Sequence, residues 1–356
     1  MVGRRQGRWS VEPYSKAILN SRELCFSRAE MRLHAGICGS FPRPPKLRKA
    51  FDDLSDGKIG ESELKRILAE SIRDVVKLQE RAGMSIVTSG LLSWHDLFRP
   101  FTISLEGLEA GRLIRFFDNN FYYRCPTITG KIRWRGPITL EEIQEVRGAA
   151  HGLVKAVIPG PFTFLKLSEN RFYTSEDELL DDLIEALRAE VEALRSSSDL
   201  IQIDEPSLVD PELGRSERLR GVDIVNEFLT RLDVPSDRVI VATYFNLDPE
   251  RYAMILDLRA GLHVDLKSTP TEADQALKEH GFEGPILSLG IIDSRNIYPM
   301  DPREVVYHVK KYLDYISPDI LVFSTSSWLD YIPYNEAVRK IDALGRILAE
   351  AEVRFI

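Results

Sequence analysis

Two adjacent carboxylates at the end of an apolar run are the residues of this chain most able to do chemistry. The run Leu200-Ile201-Gln202-Ile203 leads directly into Asp204, Glu205 and Pro206. A short, mostly apolar segment that a proline ends is typical of a buried parallel strand. Carboxylates at such a place are costly to desolvate unless they bind something. The alternative is that Asp204 caps the next helix and Glu205 is a surface charge.

Eight segments of strand character recur along the chain, mostly separated by helical patterns. Alternating strands and helices predict a parallel sheet, and eight strands predict a closed (β/α)8 barrel, the TIM barrel of the α/β class. A doubly wound open sheet is the alternative, but no GxGxxG follows the first strand. The segments are His34–Cys38, Met84–Thr88, Leu153–Ile158, Leu200–Ile203, Arg238–Tyr244, Leu262–Leu266, Ile286–Ile292 and Ile320–Ser324.

Apolar residues at helical spacing predict the covering helices. Helices are expected over Glu61–Glu80, over Glu176–Arg195 with Ser175 as a cap, and over about Asn335–Ala351. The longest irregular region, residues 94–152, is interpreted as an insertion after strand 2, and long insertions are more often functional than idle. Residues 1–30 are predicted to be a basic extension and residues 31–356 the barrel.

In a barrel of this type the chemistry sits at the carboxyl ends of the strands. Polar or turn-forming residues stand at every predicted strand end. Three aspartates, Asp204, Asp265 and Asp293, are accompanied there by Arg43 and Arg295. Loops are polar in general, but that does not easily explain three aspartates at three strand ends, so the pattern predicts a ligand site at this end of the barrel.

Composition narrows the class of protein. The formal net charge of −8 and the pI near 5.5 argue against a nucleic-acid surface. No apolar run reaches the ~20 residues needed to cross a bilayer, which argues against a membrane protein. The three cysteines are widely spaced and imply no disulfide framework. Residues 1–30 are basic and lack a signal-peptide core; they are interpreted as an extension, a transit peptide or an over-long start before Met31. A cytoplasmic protein is expected.

Four motifs follow one another along the chain at the predicted strand ends and in the insertion. They are Gly39-Ser40-Phe41-Pro42-Arg43, Phe117-Asp118-Asn119-Asn120-Phe121-Tyr122-Tyr123, Pro159-Gly160-Pro161-Phe162-Thr163 and Ile201-Gln202-Ile203-Asp204-Glu205-Pro206. In this order and spacing they are similar to those of the cobalamin-independent methionine synthase family. The similarity runs from about Leu33 to the end of the chain, and it implies a barrel that takes part in methyl transfer to homocysteine.

The family enzyme has two barrels, and the resemblance is greater to the amino-terminal one. The carboxyl-terminal barrel of the family holds zinc through histidine, cysteine and glutamate. Here no cysteine follows Cys125, and the strand ends offer only carboxylate and hydroxyl oxygens. The amino-terminal barrel lacks zinc and carries Thr-Tyr-Phe and Asp-x-Arg-Asn-Ile patterns, which are Thr243–Phe245 and Asp293–Ile297 here. We therefore expect no metal and no cofactor in this chain.

The resemblance also supplies candidate site residues. It places Ser40 and Asp204 around the amino acid group of homocysteine, while Leu91 stands where the family has a glutamate. A basic cluster is expected either to hold the polyglutamate tail of methylfolate or to be a solvated helical turn. The predicted substrate-binding residues are Ser40, Asp204, Glu205, Asn120, Tyr244, Asp265, Asp293, Arg295 and Asn296, and the basic cluster is Arg43, Lys46, Arg48 and Lys49.

Three functions remain open at this point. The first is a zinc-free barrel that works with a separate zinc-bearing methionine synthase barrel, with homocysteine as acceptor and methylfolate or another methyl donor, such as a corrinoid carrier. The second is a metal-independent single-barrel enzyme that acts on another small anionic substrate. The third is a non-catalytic protein that stabilises a partner. Trp328, Tyr331 and Tyr334 are expected as aromatic anchors of the partner interface, and Asp204 is expected to contact a ligand ammonium or an internal arginine.

Overall fold

The computed structural model of the protein describes residues 31–355. The predicted basic extension, residues 1–30, lies outside this range. In chain order the strands are β1 (Arg32–Ala35), β2 (Ile86–Val87), β3 (Glu106–Arg115), β4 (Tyr122–Arg133), β5 (Leu153–Pro159), β6 (Glu169–Asn170), β7 (Leu200–Asp204), β8 (Val239–Ala242), β9 (Gly261–Asp265), β10 (Phe282–Ile292) and β11 (Ile316–Thr325).

Eight of these strands form one parallel sheet, in the order β1-β11-β10-β9-β8-β7-β5-β2. Because this order follows the chain around a ring, the sheet is a barrel. The remaining gap, between β1 and β2, is bridged where the Ser85 amide donates to the Ala35 carbonyl over 3.2 Å. The predicted barrel is confirmed, and each of the eight predicted segments overlaps a barrel strand.

Alternation along each strand decides which side chains enter the barrel. Ile86, Leu200, Ile240, Ile286 and Val322 form an apolar cluster of their own, separate from the larger core between strands and helices. Leu200 belongs to this inner cluster, so Gln202 and Asp204, two and four residues further along β7, also face inward. Strand β7 therefore places Leu200 in the apolar interior of the barrel and Asp204 at the carboxyl end of the barrel.

Helices cover the outside of the barrel and bury one face each. The cap predicted for α6 is confirmed, since the Ser175 hydroxyl accepts from the Glu178 amide. The helices are α1 (Pro45–Ser55), α2 (Glu61–Arg81), α3 (Arg99–Ser104), α4 (Leu140–Ala149), α5 (Pro161–Lys166), α6 (Glu176–Leu194), α7 (Arg215–Arg231), α8 (Pro249–Ile255), α9 (Pro270–His280), α10 (Pro302–Tyr312) and α11 (Tyr334–Phe355). Among residues 31–355 no helix is both long and apolar enough to cross a membrane.

The sequence had suggested that the segment between β2 and α4 is irregular, but it contains regular elements. It contains α3 and a long antiparallel hairpin made of β3 and β4, to which the two-residue strand β6 adds in parallel. Strand alternation was weak here because many side chains on both faces of β3 are exposed or half-exposed. The tip of this hairpin, residues 116–121, is closed by a hydrogen bond from the Phe116 amide to the Phe121 carbonyl.

Candidate active site

Asp204 lies at the end of β7 and is fully buried, with an exposed fraction of 0%. One carboxylate oxygen, Oδ2, accepts from the Tyr244 hydroxyl over 2.9 Å and from the Trp328 indole N–H over 3.0 Å. The other, Oδ1, accepts from the Gln202 amide over 2.6 Å. Desolvation by burial raises the pKa of Asp204 to about 6 although these donors oppose it. The carboxyl can therefore change protonation state close to neutral pH.

The internal arginine expected beside Asp204 does not contact it. The internal cation near this carboxyl is Lys155 on β5, whose ammonium donates to the Ile37 carbonyl over 2.8 Å and also to Gln202. Lys155 is level with Leu200 in the sheet, four residues below Asp204, so the two charged groups do not meet directly. Gln202 bridges them, and burial lowers the pKa of Lys155.

Glu205, predicted to bind substrate, performs a different task. Its carboxylate accepts from the amides of Phe162 (2.9 Å) and Thr163 (2.7 Å), at the start of α5. The residue is fully buried, and desolvation raises its pKa to about 7. Two adjacent strand residues face opposite sides of a sheet, so only Asp204 of the pair reaches the barrel interior. Neither residue is the surface charge or the cap of the following helix that the sequence had offered as alternatives.

Asp265, Asp293 and Asn296 organise the loops at the rim of the barrel. Asp265 Oδ1 accepts from the Lys267 amide (2.7 Å) and Oδ2 from the Phe245 amide (3.1 Å), and burial raises the pKa of this carboxyl. Asp293 accepts from the Arg295 amide (2.8 Å) and from the Asn296 side chain. These residues lie together at the predicted end of the barrel, but their oxygens are held by the protein's own donors.

Arg295 extends from this rim across the barrel mouth. One guanidinium nitrogen donates to Asn119 Oδ1 over 3.3 Å, and another donates to the Ser268 hydroxyl over 2.6 Å. The guanidinium also lies over the Phe245 ring at 5.6 Å. Asn119 is buried, whereas the predicted Asn120 is exposed. The hairpin therefore contributes Asn119 to the site, and the choice of Asn120 was one position off.

Ser40 lies beside a carboxyl that sequence reasoning missed. The Ser40 hydroxyl is close enough to Asp330 to lower its pKa, yet it makes no hydrogen bond of ordinary geometry. Asp330 keeps solvent-exposed surface, but the surrounding protein desolvates its carboxyl and raises its pKa to about 7. Asp330 thus supplies a carboxyl next to Ser40, whereas Leu91 is apolar and buried.

The basic cluster does not assemble as one anion site. The Arg43 guanidinium donates to the carbonyls of Leu92 (2.9 Å) and Trp94 (2.6 Å) and lies over the Phe51 ring. Lys46 pairs with Glu70 and Lys49 with Asp53, while Arg48 is exposed on α1. Lys46, Arg48 and Lys49 match a solvated first helical turn, which was one of the two interpretations of the sequence, whereas Arg43 precedes α1 and is partly buried.

Aromatic rings close the mouth above Asp204. The Phe121 ring lies 6.3 Å from that of Trp328 and 5.8 Å from that of Tyr331. The Phe245 ring lies 4.8 Å from that of Tyr244 and 5.6 Å from that of Phe117. Such edge-on contacts at these distances are favourable.

The expectation that Trp328 anchors a partner is wrong, because its side chain is buried within its own chain. Tyr331 is half-buried beneath the hairpin tip, and Tyr334 packs edge-on against Phe41. The turn that follows β11 folds back over the barrel, so its aromatic side chains belong to the site and its cover.

The donor set of the described chain does not fit a zinc ion. Between residues 31 and 355, no three histidine, cysteine, aspartate or glutamate side chains are grouped so that they could hold a metal. His263 faces inward from β9, and its two ring nitrogens contact the Ser288 hydroxyl (2.8 Å) and the Ser326 carbonyl (3.3 Å). Burial lowers the pKa of this imidazole to about 3, so it stays neutral.

Sequence reasoning missed Lys155, Gln202, His263, Asn119, Trp328 and Asp330. A signal existed for two of them, because Gln202 shares the inward face of β7 with Asp204 and Lys155 is a charge inside an apolar strand. The others depend on contacts between segments distant in the chain. Asn119 and Arg295, for example, are separated by 176 positions.

Sequence comparisons identify relatives over most of the chain. A family model described as "Cobalamin-independent synthase, N-terminal domain" matches residues 104–316. The methionine synthase of Sulfurisphaera tokodaii is 26% identical over 308 residues, which cover 86% of this chain and 88% of that protein. The methionine synthase of Sulfolobus acidocaldarius is 25% identical over 324 residues, covering 89% of this chain and 92% of that protein.

Solved structures give the same fold. A B12-independent methionine synthase from Shewanella sp. W3-18-1 superposes with a TM-score of 0.76 at 18% identity, covering 91% of this chain and 99% of that chain. A putative vitamin-B12-independent methionine synthase from Listeria monocytogenes has a TM-score of 0.71 at 18% identity, covering 89% of this chain and 97% of that chain. The fold, the matched family model and the meeting of the Asp204, Asn119 and Arg295 motifs at one barrel mouth agree: the chain belongs to the cobalamin-independent methionine synthase family.

Proposed function

We propose that this barrel takes part in methyl transfer to homocysteine without zinc of its own, and that a separate zinc-bearing barrel activates the thiol. The observation that carries the proposal is the mouth itself. It pairs the buried Asp204 and Ser40 with the partly exposed Asp330, yet no group of side chains among the described residues could hold a zinc ion. A thiol needs a Lewis acid such as a zinc ion to become a strong nucleophile at neutral pH.

The chemistry that these residues support is binding of a zwitterionic amino acid. Asp330 and Ser40 suit an ammonium group, since a carboxylate and a hydroxyl oxygen both accept hydrogen bonds. Asp204 lies deeper, and its pKa of about 6 lets it hold or release a proton near pH 6. The relatives that match most of this chain are named methionine synthase, which supports methionine synthesis over another reaction.

The alternative is a single-barrel enzyme that needs no metal and acts on another small anion. Asp204, with its pKa of about 6, is the observation that favours it, because general bases work best when their pKa lies near the operating pH. Activity of the purified chain alone separates the two functions. The non-catalytic partner-stabilising protein remains the third hypothesis, and it predicts binding of a partner without binding of homocysteine.

The test combines calorimetry with a methylation assay. The purified chain is titrated with L-homocysteine and then assayed with methylfolate triglutamate, alone and with a separately purified zinc-bearing barrel of the family. We expect homocysteine binding by the chain alone, no turnover alone, and turnover above that of the partner alone when both are present. Full activity of this chain alone, or an unchanged rate on mixing without homocysteine binding, would contradict the proposal.

A further inference from the structure

The hairpin tip, residues 116–121, covers the barrel mouth from outside the ring of eight strands. Its Phe121 ring lies on Trp328, and its Phe117 ring lies on Phe245. Trp328 in turn donates to Asp204, which has no exposed surface. A ligand therefore cannot touch Asp204 while the tip is in place.

The described contacts that hold the tip to the rim are polar and aromatic. Asn119 is the central residue: its side-chain oxygen accepts from Arg295 of the rim over 3.3 Å, whereas its backbone carbonyl accepts from Arg115 within the hairpin over 2.7 Å. A 3.3 Å bond is at the long, weak end of the range for this pair of atoms. The polar part of the contact between tip and rim is thus separable at modest cost.

Backbone strain is concentrated where the tip meets the rim. Phe117 has a φ of 50° and Phe245 a φ of 85°, and their rings face each other at 5.6 Å. A positive φ is unfavourable for a bulky side chain, and strained conformations cluster in clamps and switch regions. The packed arrangement of the two phenylalanines is therefore strained on both sides of the contact.

Arg295 brings a positive charge to this contact, and its partners Asn119, Ser268 and Phe245 are neutral. A guanidinium binds a carboxylate more strongly than it binds an amide oxygen, because both groups are then charged and the bonds can be bidentate. A carboxylate that arrived at the mouth would therefore displace Asn119 from Arg295.

We propose that the hairpin tip is a lid over Asp204, that Asn119 latches it to Arg295, and that a substrate carboxylate releases the latch by taking the place of Asn119. The proposal of a lid and its latch rests only on the contacts between the hairpin tip and the rim. The carboxylate as releasing group rests on the proposed function. That carboxylate is either the α-carboxylate of an amino acid or a carboxylate of a γ-glutamyl tail.

The latch is tested first without any ligand. Asn119→Asp keeps the shape but places a carboxylate on Arg295, so it tightens the latch; Asn119→Ala removes it. Acrylamide quenching of Trp328 fluorescence measures the open fraction, with each protein compared with its Trp328→Phe counterpart. We expect quenching to fall several-fold in Asn119→Asp and to rise several-fold in Asn119→Ala, since the Arg295 guanidinium binds a carboxylate more strongly than an amide oxygen.

Asn120→Asp is the matched control, because it introduces the same charge at the neighbouring, exposed position. It should leave quenching unchanged. Equal quenching in Asn119→Asp and Asn120→Asp would overturn the latch. This arm needs neither homocysteine nor a methyl donor, so its failure is distinct from a failure of the proposed function.

The second arm asks which carboxylate Arg295 recognises. Calorimetry with L-homocysteine and with tri-γ-glutamate compares the wild type, Arg295→Gln and the control Arg112→Gln, which removes a hairpin charge outside the contact. A loss of about tenfold in affinity for only one probe, seen in Arg295→Gln alone, identifies that probe as the source of the carboxylate. Unchanged affinity for both probes in Arg295→Gln would overturn the role of Arg295 as carboxylate anchor.

Discussion

At the scale of single residues, the site depends on how one buried carboxyl is solvated by protein groups. Asp204 has exchanged water for a phenol, an indole and an amide, all of them neutral donors. Neutral donors stabilise a carboxylate less than a cation does, so burial dominates and the pKa of Asp204 rises to about 6. The residue is consequently available for proton exchange at the bottom of the mouth.

The raised pKa of Asp204 makes stability depend on pH in a defined direction. In the unfolded chain the carboxyl has an ordinary pKa of ~3.9, so between about pH 4 and 6 only the folded state keeps the proton. The contribution of Asp204 to the free energy of unfolding is therefore full below about pH 4 and is lost as the pH rises through 6. Its total size is on the order of 2–3 kcal/mol, from two pKa units.

Asp204→Asn removes this titration. We expect the stability of the wild type relative to Asp204→Asn, measured by urea unfolding at pH 4, 5, 6 and 7, to decline from pH 4 to pH 6. Glu205→Gln is the comparison, since the pKa of Glu205 of about 7 extends the decline to pH 7. A wild-type advantage that increases with pH would mean that Asp204 is stabilised as an anion, with Lys155 as the cation responsible.

At the scale of elements, the packing of Glu205 against the start of α5 fixes the loop after β5. Gly160 precedes the helix, and a Cβ added there would lie 2.1 Å from Glu205 Oε1. Such an overlap cannot be accommodated without moving the carboxylate away from the amides of Phe162 and Thr163. A glycine is needed at position 160 because the Glu205 side chain occupies the space that a Cβ would need.

Gly160→Ala should therefore destabilise the protein by about 1–3 kcal/mol, the usual cost of overpacking a filled site. Gly148 in α4 is the matched control, because nothing lies within 4 Å of a Cβ added there. Gly148→Ala should stabilise by up to ~1 kcal/mol through helix propensity. Thermal unfolding of both variants checks this, and a neutral Gly160→Ala would show that Glu205 has room to move.

At the scale of the whole molecule, the barrel has all eight strands, and most of the potential ligand atoms at its mouth are oxygens. The eight strands, the hairpin and the covering helices form one unit over residues 31–356. Carboxylate, hydroxyl and amide oxygens suit hard cations or organic ligands better than zinc, which prefers sulfur and imidazole. This chemistry supports the proposal that a separate zinc-bearing barrel activates the thiol.

Elemental analysis of the protein, purified without a metal-binding tag, should find less than stoichiometric zinc. The expectation follows from the lack of a suitable ligand group within residues 31–355. A zinc-bearing barrel of the family, purified in the same way, is the positive control. One tightly held zinc ion per chain that survives dialysis against a chelator would contradict the prediction and return thiol activation to this chain.

The sequence by itself determined the barrel, because short apolar runs in strands and the 3.6-residue period in helices are local patterns that can be read without knowing distant contacts. It also located the Asp204 end of β7, since a carboxylate after an apolar run is visible without a partner. The eight strand segments and the long helices α2, α6 and α11 were found for this reason.

Only the tertiary structure decided what each polar side chain does at the mouth. Glu205 turns to α5 while Asp204 turns inward, and Asn119 rather than Asn120 reaches Arg295. The hairpin escaped notice because its register and its place over the barrel are set by contacts with residues far along the chain, such as Phe245 and Trp328. Local patterns predict elements, but the partner of a side chain depends on where distant elements pack.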